Sequence, residues 1–109
     1  MVATNSKIEK LQKLEQAIQS IVSQKQGFQT QLAEVENALK EVKKTKSNPF
    51  RFVGGIMVES TKESIEKDLS SKKEISELRL KTLERQEAKT MDEIKSLQKE
   101  IVEELKKNS

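Results

Sequence analysis

Few residues of this sequence have the type and spacing that chemistry at a site requires. Gly54-Gly55 could form the turn of a phosphate-binding loop, but no Lys-Ser or Lys-Thr follows it and no helix is expected directly behind it. Neighbouring carboxylates such as Glu103 and Glu104 could perform acid–base chemistry only in a pocket that raises the pKa of one of them. The chain has no His and no Cys, which removes the usual general base, the thiolate nucleophile and the commonest metal ligands. The composition therefore predicts no enzyme, no catalytic residue, no cofactor and no metal site.

The charged residues alternate in sign instead of forming a basic face. There are 21 Lys and Arg against 18 Asp and Glu, which gives a net charge of +3. The one basic run, Lys43-Lys44-Thr45-Lys46, suits a helix C-terminus, where cations stabilise the helix dipole, and needs no phosphate backbone beside it. Tyr and Trp are absent, so the stacking platforms of single-strand binders are missing. We therefore expect no nucleic-acid partner, although a nucleic-acid-binding coiled coil stays an alternative.

The composition also bounds the fold class. Of 109 residues, 33% are hydrophobic and 36% are charged, whereas a globular domain is about 45–50% apolar. The apolar groups must lie along a stripe or be shared with partner chains, which predicts an elongated, mainly helical protein. The longest apolar stretch, Phe52–Val58, has seven residues, against about 20 for a membrane span. Because the N-terminus also lacks a basic and apolar leader, we expect a cytoplasmic protein with no membrane partner.

The first half of the chain carries a heptad pattern. Its members follow one another at alternating spacings of four and three residues, which is typical of a coiled-coil seam. Lys25 is the only polar member, and such a residue usually sets helix register or pairing. Ser6 and Glu9 form a capping box and Pro49 stops the helix, so we predict a helix over residues 7–47. The seam consists of Leu14, Ile18, Ile21, Lys25, Phe28, Leu32, Val35, Leu39 and Val42.

The second half predicts another long helix with a less regular stripe. Ser60 and Glu63 form a second capping box, so we expect this helix over residues 61–107. Four apolar residues crowd together, a polar interval follows over residues 86–90, and the stripe then resumes, so the seam is expected to drift around the helix. Since the two arms match in length, we predict that they fold back as an antiparallel coiled coil. The crowded residues are Ile75, Leu78, Leu80 and Leu83.

A short apolar segment joins the two arms. Residues 50–53 and 56–59 have the form of two strands, and Gly54-Gly55 between them can supply the positive φ of a type I′ or II′ turn. Val53 then opposes Ile56, and both faces of the hairpin are apolar. A lone two-stranded hairpin is marginal in water, so we predict that it docks on other sheets and drives oligomerisation. The oligomerisation residues are Phe50, Phe52, Val53, Gly54, Gly55, Ile56, Met57 and Val58.

Apolar residues continue to the free ends of both arms, where no third element is available to cover a helix pair. They are either ordinary seam residues or a surface that contacts a client protein, and the sequence leaves both interpretations open. The candidate client contacts at these tips are Val2, Ile8, Leu11, Ile101, Val102 and Leu105.

Two coiled-coil arms joined by this hairpin closely resemble the beta-class subunits of prefoldin. The hairpin makes the resemblance specific, because any coiled coil would match the arms. Alpha-class subunits carry two hairpins, and this chain has room for one. The resemblance extends over nearly the whole chain as a single domain over residues 1–109. It is carried by Arg51-Phe52-Val53-Gly54-Gly55-Ile56-Met57-Val58-Glu59-Ser60-Thr61, with Gln24-Lys25-Gln26 in the first arm and Leu83-Glu84-Arg85-Gln86-Glu87 in the second.

The resemblance implies an ATP-independent holding chaperone. Two alpha-class and four beta-class subunits would form an α2β4 hexamer, in which the hairpins join into an inter-subunit β-barrel and the coiled coils project from it. The tips would hold non-native polypeptides and deliver them to a group II chaperonin. A structural coiled-coil adaptor with no client-holding activity is the alternative, but it would not need a hairpin with two apolar faces.

Overall fold

The computed structural model describes residues 2–107, with side chains from residue 3. The elements are α1 (Val2–Lys44), β1 (Phe50–Val53), β2 (Ile56–Glu59) and α2 (Lys62–Lys107). The strands form one two-stranded antiparallel sheet. The predicted architecture of two long helices joined by one central hairpin is confirmed. Neither of the two described helices contains an uncharged apolar segment of the length that a membrane span requires.

Helix α1 starts earlier and ends earlier than the predicted 7–47. It begins at Val2, so Ser6 lies inside the helix and the capping box expected there is wrong. Contacts of Thr4 with α2 hold this additional turn. The helix ends at Lys44 because Thr45 closes its last turn, with its hydroxyl and its N–H both donating to the carbonyl of Glu41.

Helix α2 is capped by Thr61, not by Ser60 as the capping box suggested. The Thr61 hydroxyl accepts a hydrogen bond of 3.1 Å from the N–H of Ser64, the third residue of the helix, which is the geometry of an N-cap. The N–H of Ser60 instead donates to the carbonyl of Pro49, at 2.9 Å, across the base of the hairpin. The predicted start at 61 therefore becomes Lys62, and the end at Lys107 is unchanged.

The chain divides into two units. The terminal unit comprises Met1–Gln26 and Lys81–Ser109. Two ion pairs join its helices, Lys7 to Glu104 and Lys25 to Glu87, so 18 residues along α1 are matched by 17 in the opposite direction along α2. The helices of this unit are therefore antiparallel and in heptad register. Its buried seam residues are Thr4, Ile21, Leu83, Ile94, Leu97 and Ile101.

The hairpin unit comprises Gly27–Leu80 and contains the sheet. Its helices are also antiparallel, since the Lys62 ammonium donates to the carbonyl of Lys43 at 2.9 Å and the Arg79 guanidinium lies 5.8 Å from the centre of the Phe28 ring. The buried apolar residues of this unit are Val35, Ile65 and Leu80.

The seam of α2 is regular, which corrects the expected drift. From Ser76 to Glu104 its inward positions recur at alternating spacings of four and three, but several of them are polar. Ser76 is the most buried side chain of the described chain, at 2% exposure, and Glu87 and Thr90 are half-buried. Ile75 and Leu78 lie off the seam and are exposed. The hydrophobic pattern was misleading because small and paired polar side chains fill positions that apolar residues usually occupy.

Candidate functional site: the hairpin and the helix ends

The hairpin has the predicted register. Val53 pairs with Ile56, Phe52 with Met57 and Arg51 with Val58. Gly54 and Gly55 both have positive φ, at 57° and 83°, which is the type I′ combination that L-residues adopt at a cost. The two-residue Gly-Gly turn therefore sets the register in which the strands pair.

Apolar side chains cover both faces of the hairpin and remain exposed in the single chain. Phe52 is 73% exposed, and no hydrophobic residue of either strand is buried. The strands pair only with each other among the described residues, so each strand also has an open edge. Such a surface is typical of an element that pairs with further strands. The exposed residues are Phe50, Phe52, Val53, Ile56, Met57 and Val58.

Polar contacts hold the base of the hairpin against the helices. Arg51 donates a hydrogen bond of 2.8 Å to Asp68 on α2, and the amide of Asn48 lies 3.5 Å from the carboxylate of Glu59. Beneath β1 a cleft of about 370 Å³ separates the sheet from the helices, and its lining includes Val42, Ile65, Leu69 and Phe50. The hairpin is therefore attached at one end and offers both of its faces.

The six candidate tip residues divide by exposure. Ile8, Val102 and Leu105 are exposed, the last two at 49% and 55%. Leu11 is half-buried, and Ile101 is buried at 8% exposure. The side chain of Val2 lies outside the described residues. The exposed apolar surface at the tips thus lies beside the seam, at Ile8, Val102 and Leu105.

A polar cluster ends the seam at these tips, and the sequence-based reasoning missed it. The Thr4 hydroxyl donates to Glu104 at 2.8 Å, and Lys7 forms a hydrogen-bonded ion pair with the same carboxylate and a longer pair with Glu100. The hydrogen bond from Lys7 holds the pKa of Glu104 below its ordinary 4.5, and Thr4 adds to this effect. It also raises the pKa of Lys7 above 10.5. The heptad spacing extends backwards from Leu11 to Lys7 and Thr4, which indicates their seam positions but not their partner on α2.

A second ion pair lies within the seam of the terminal unit. The Lys25 ammonium is 3.0 Å from the Glu87 carboxylate, and the two side chains are only 19% and 29% exposed. The sequence singled out Lys25 as a polar seam member but gave no partner for it. The partner lies in the polar interval of α2 that interrupted the apparent stripe.

The residues considered for other chemistry lie in ordinary structural positions. Gly54-Gly55 forms the hairpin turn, and the following helix begins only at Lys62. Lys43 and Lys44 occupy the last turn of α1, where their charges favour the helix dipole. Glu103 lies on the exposed face of α2, and Glu104 belongs to the polar cluster at the tip.

Comparison with known proteins decides the family. A family model described as "Prefoldin subunit" matches residues 5–108. The chain belongs to the prefoldin family. Among its relatives, prefoldin subunit beta of Archaeoglobus fulgidus is 34% identical over 86% of this chain and 83% of the relative. That of Pyrococcus furiosus is 37% identical over 84% of this chain and 80% of the relative.

A solved structure agrees with this assignment to the beta class. The crystal structure of the prefoldin beta subunit from Thermococcus strain KS-1 matches with a TM-score of 0.85 and 33% identity, and the match covers 91% of this chain and 89% of that one. The resemblance to beta-class prefoldin subunits, drawn from the single hairpin and its sequence, is thus confirmed.

Proposed function

We propose that this chain is one of four beta-class subunits that combine with two alpha-class subunits in an α2β4 hexamer. The hexamer holds non-native polypeptides at the coiled-coil tips without ATP, in the cytoplasm, and delivers them to a group II chaperonin. The observation that carries this proposal is the presence of two exposed apolar surfaces, one on the hairpin of the hairpin unit and one formed by the tip residues of the terminal unit. One surface suits assembly and the other suits a client.

The state of the hairpin supports assembly into an inter-subunit β-barrel. Two short strands with apolar side chains on both faces gain little in water by themselves. Strands from neighbouring subunits would cover those faces and pair both open edges, and closure into a barrel removes edges altogether. Burying Phe52 or Ile56 in this way would contribute on the order of 1.5–3 kcal/mol per side chain.

The tips support the holding of clients. Val102 and Leu105 lie three residues apart on one face of α2, and both remain exposed although the seam beside them is filled. Apolar contact of this kind is not directional and needs neither nucleotide nor metal. It therefore suits polypeptides that share exposed apolar side chains but no sequence.

Two matched double variants test the holding function. V102S/L105S removes the exposed apolar pair at the tip, and I75S/L78S removes an exposed pair of the same spacing on the same helix, at 55% and 67% exposure, within the hairpin unit. Each variant is mixed with an alpha-class subunit, and its mass is determined by light scattering. Aggregation of a denatured client is then followed by turbidity, without ATP and at low and moderate salt.

We expect both variants to assemble like wild type and only V102S/L105S to lose most of its suppression of client aggregation. Moderate salt should leave the wild-type activity largely intact, since apolar contacts are not screened. If V102S/L105S protects the client as well as the control does, the tips are not the holding site. If the wild-type complex protects no client at all, the structural coiled-coil adaptor is the better description. Transfer is tested by adding a group II chaperonin and following release of labelled client.

A further inference from the structure

The polar seam residues of the terminal unit are distributed unevenly between the two helices. On α1 the charged seam residues are Lys7 and Lys25, and on α2 they are Glu87 and Glu104. Within the described part of this unit, every charged seam position of α1 is thus basic and every one of α2 is acidic. Each cation meets an anion only when α1 pairs with α2.

The apolar seam residues provide no such distinction. Both helices present Leu and Ile at the same alternating spacings of three and four. A seam of this kind packs against any other seam of the same period, including the equivalent helix of a second copy. The apolar seam residues of the unit are Leu11, Leu14, Ile18 and Ile21 on α1 and Leu83, Ile94, Leu97 and Ile101 on α2.

Stability alone does not account for the Lys25–Glu87 pair. Its two side chains are part-buried, and replacing a buried ion pair with well-packed apolar residues is often neutral or stabilising. The best-supported role of an ionic pair in a helical seam is to decide which helices pair. The polarity of the two pairs fits that role, because pairing of like helices in register would bring Lys against Lys and Glu against Glu.

We propose that Lys25 and Glu87, supported by Lys7 and Glu104, are the partner-specifying residues of this coiled coil. They direct α1 to α2 and disfavour pairing of either helix with the same helix of a second copy. This inference concerns helix pairing and stands whether or not the chain holds clients. This discrimination between helices matters most where several copies of the chain are concentrated in one assembly.

The full chain can report on its own pairing, since it contains no Cys. In the register set by the ion pairs, position 21 of α1 lies opposite position 90 of α2. The parent for the experiment is therefore I21C/T90C, equilibrated in a glutathione redox buffer at several protein concentrations. Correct pairing gives an intrachain disulfide, whereas pairing of like helices gives covalent dimers, which non-reducing electrophoresis separates.

Three variants are made in this parent. K25L/E87L removes the charges from the seam, and K25E/E87K exchanges them. E9L/K13L is the matched control, which adds two Leu to an exposed i,i+4 pair of α1 without touching the seam. The urea midpoint of each variant is measured alongside its covalent dimer fraction, so that specificity is separated from stability.

We expect K25L/E87L to raise the covalent dimer fraction by at least about tenfold, equivalent to about 1.4 kcal/mol of lost discrimination, without lowering the urea midpoint. K25E/E87K and E9L/K13L should keep the dimer fraction of the parent. The proposal is overturned if K25L/E87L leaves the dimer fraction unchanged, whether or not its midpoint falls. It is equally overturned if K25E/E87K forms dimers as readily as K25L/E87L does, because charge polarity would then play no part.

Discussion

Arg51 on β1 donates a hydrogen bond of 2.8 Å from Nη2 to the Oδ2 of Asp68 on α2. Their side chains are 36% and 53% exposed, so solvent screens the pair and its contribution to stability is small. The pair instead constrains the direction in which the hairpin leaves the helices. A contact of this kind should affect assembly more than it affects the folding of the single chain.

The first prediction concerns this contact. Asp68→Asn should lower the free energy of unfolding of the chain by no more than about 1 kcal/mol, the upper range for exposed ion pairs. It should slow or weaken assembly, because the free hairpin then samples more orientations. Urea unfolding measures the first effect and light scattering against protein concentration measures the second. A large loss of stability with unchanged assembly would contradict this assignment.

The second prediction concerns the faces of the hairpin. Val53 and Ile56 lie opposite each other on the two strands, so Val53→Asp and Ile56→Asp together place two carboxylates side by side. Both positions are exposed in the single chain, so helicity by circular dichroism should persist. Burying the carboxylates between subunits would cost several kcal/mol, so the mass of the assembly should fall to that of single subunits. The control I75D/L78D, exposed but outside the hairpin, should assemble; a V53D/I56D chain that assembles equally well would refute the role of the hairpin.

The third prediction follows from the Lys7–Glu104 pair. The pKa of Glu104 is lowered from 4.5 in the folded chain, so its stabilisation is fully present above pH 4.5 and is lost as the pH falls through the lowered value. The stability difference between wild type and Glu104→Gln should therefore shrink between about pH 5 and 3. Urea midpoints of both proteins at each pH measure this difference. A constant difference down to pH 3 would show that the carboxylate is not held in the ionised form.

The same ion pair also makes the stability of the chain depend on pH in the alkaline range. The pKa of Lys7 is raised above 10.5, so its stabilisation is present below pH 10.5 and lost as the pH rises through the raised value. Lys7→Met should remove this alkaline dependence, with Lys13→Met on the exposed face as the control.

The fourth prediction compares two glycines, Gly54 and Gly27, whose replacement by Ala should have opposite effects. Gly54→Ala should weaken assembly on the order of 5–30-fold, since a non-glycine residue at its positive φ costs roughly 1–2 kcal/mol. No atom lies within 4 Å of the added Cβ, so the cost is backbone strain alone, and Gly54→Asn should assemble better than Gly54→Ala. Gly27→Ala, within α1 and equally uncrowded, should stabilise the helix by about 0.5–1 kcal/mol. Subunit dissociation constants and urea midpoints distinguish the two directions.

The parts of the fold that depend on local chemistry could be predicted from the sequence. The Gly-Gly turn indicates the hairpin register, and Pro49 separates the first helix from the sheet. The Thr61 cap and the Thr4 contact could not be predicted, since each depends on where a helix starts, and for Thr4 that depends on Glu104 a hundred residues away. The prediction of the α2 seam was wrong for the same reason, because only the partner helix explains why Glu87 faces inward.

At the candidate site, residue type and position together identified the surfaces but not their exposure. Ile101 and Val102 are adjacent and equally apolar, yet one is buried and the other is half exposed. The difference depends on the rotation of α2 about its axis. In the observed rotation, Ile101 lies on the same buried face as Ile94 and Leu97.

The open edges of β1 and β2 give each chain two sites at which a strand of another chain could pair. Subunits with two such sites form either open filaments, whose length is limited only by the subunit concentration, or closed rings. A ring is finite because the angle between successive members brings the last edge back to the first. In the proposed assembly, the geometry at the base of the hairpin, where Arg51 meets Asp68, would therefore influence how many chains close the ring.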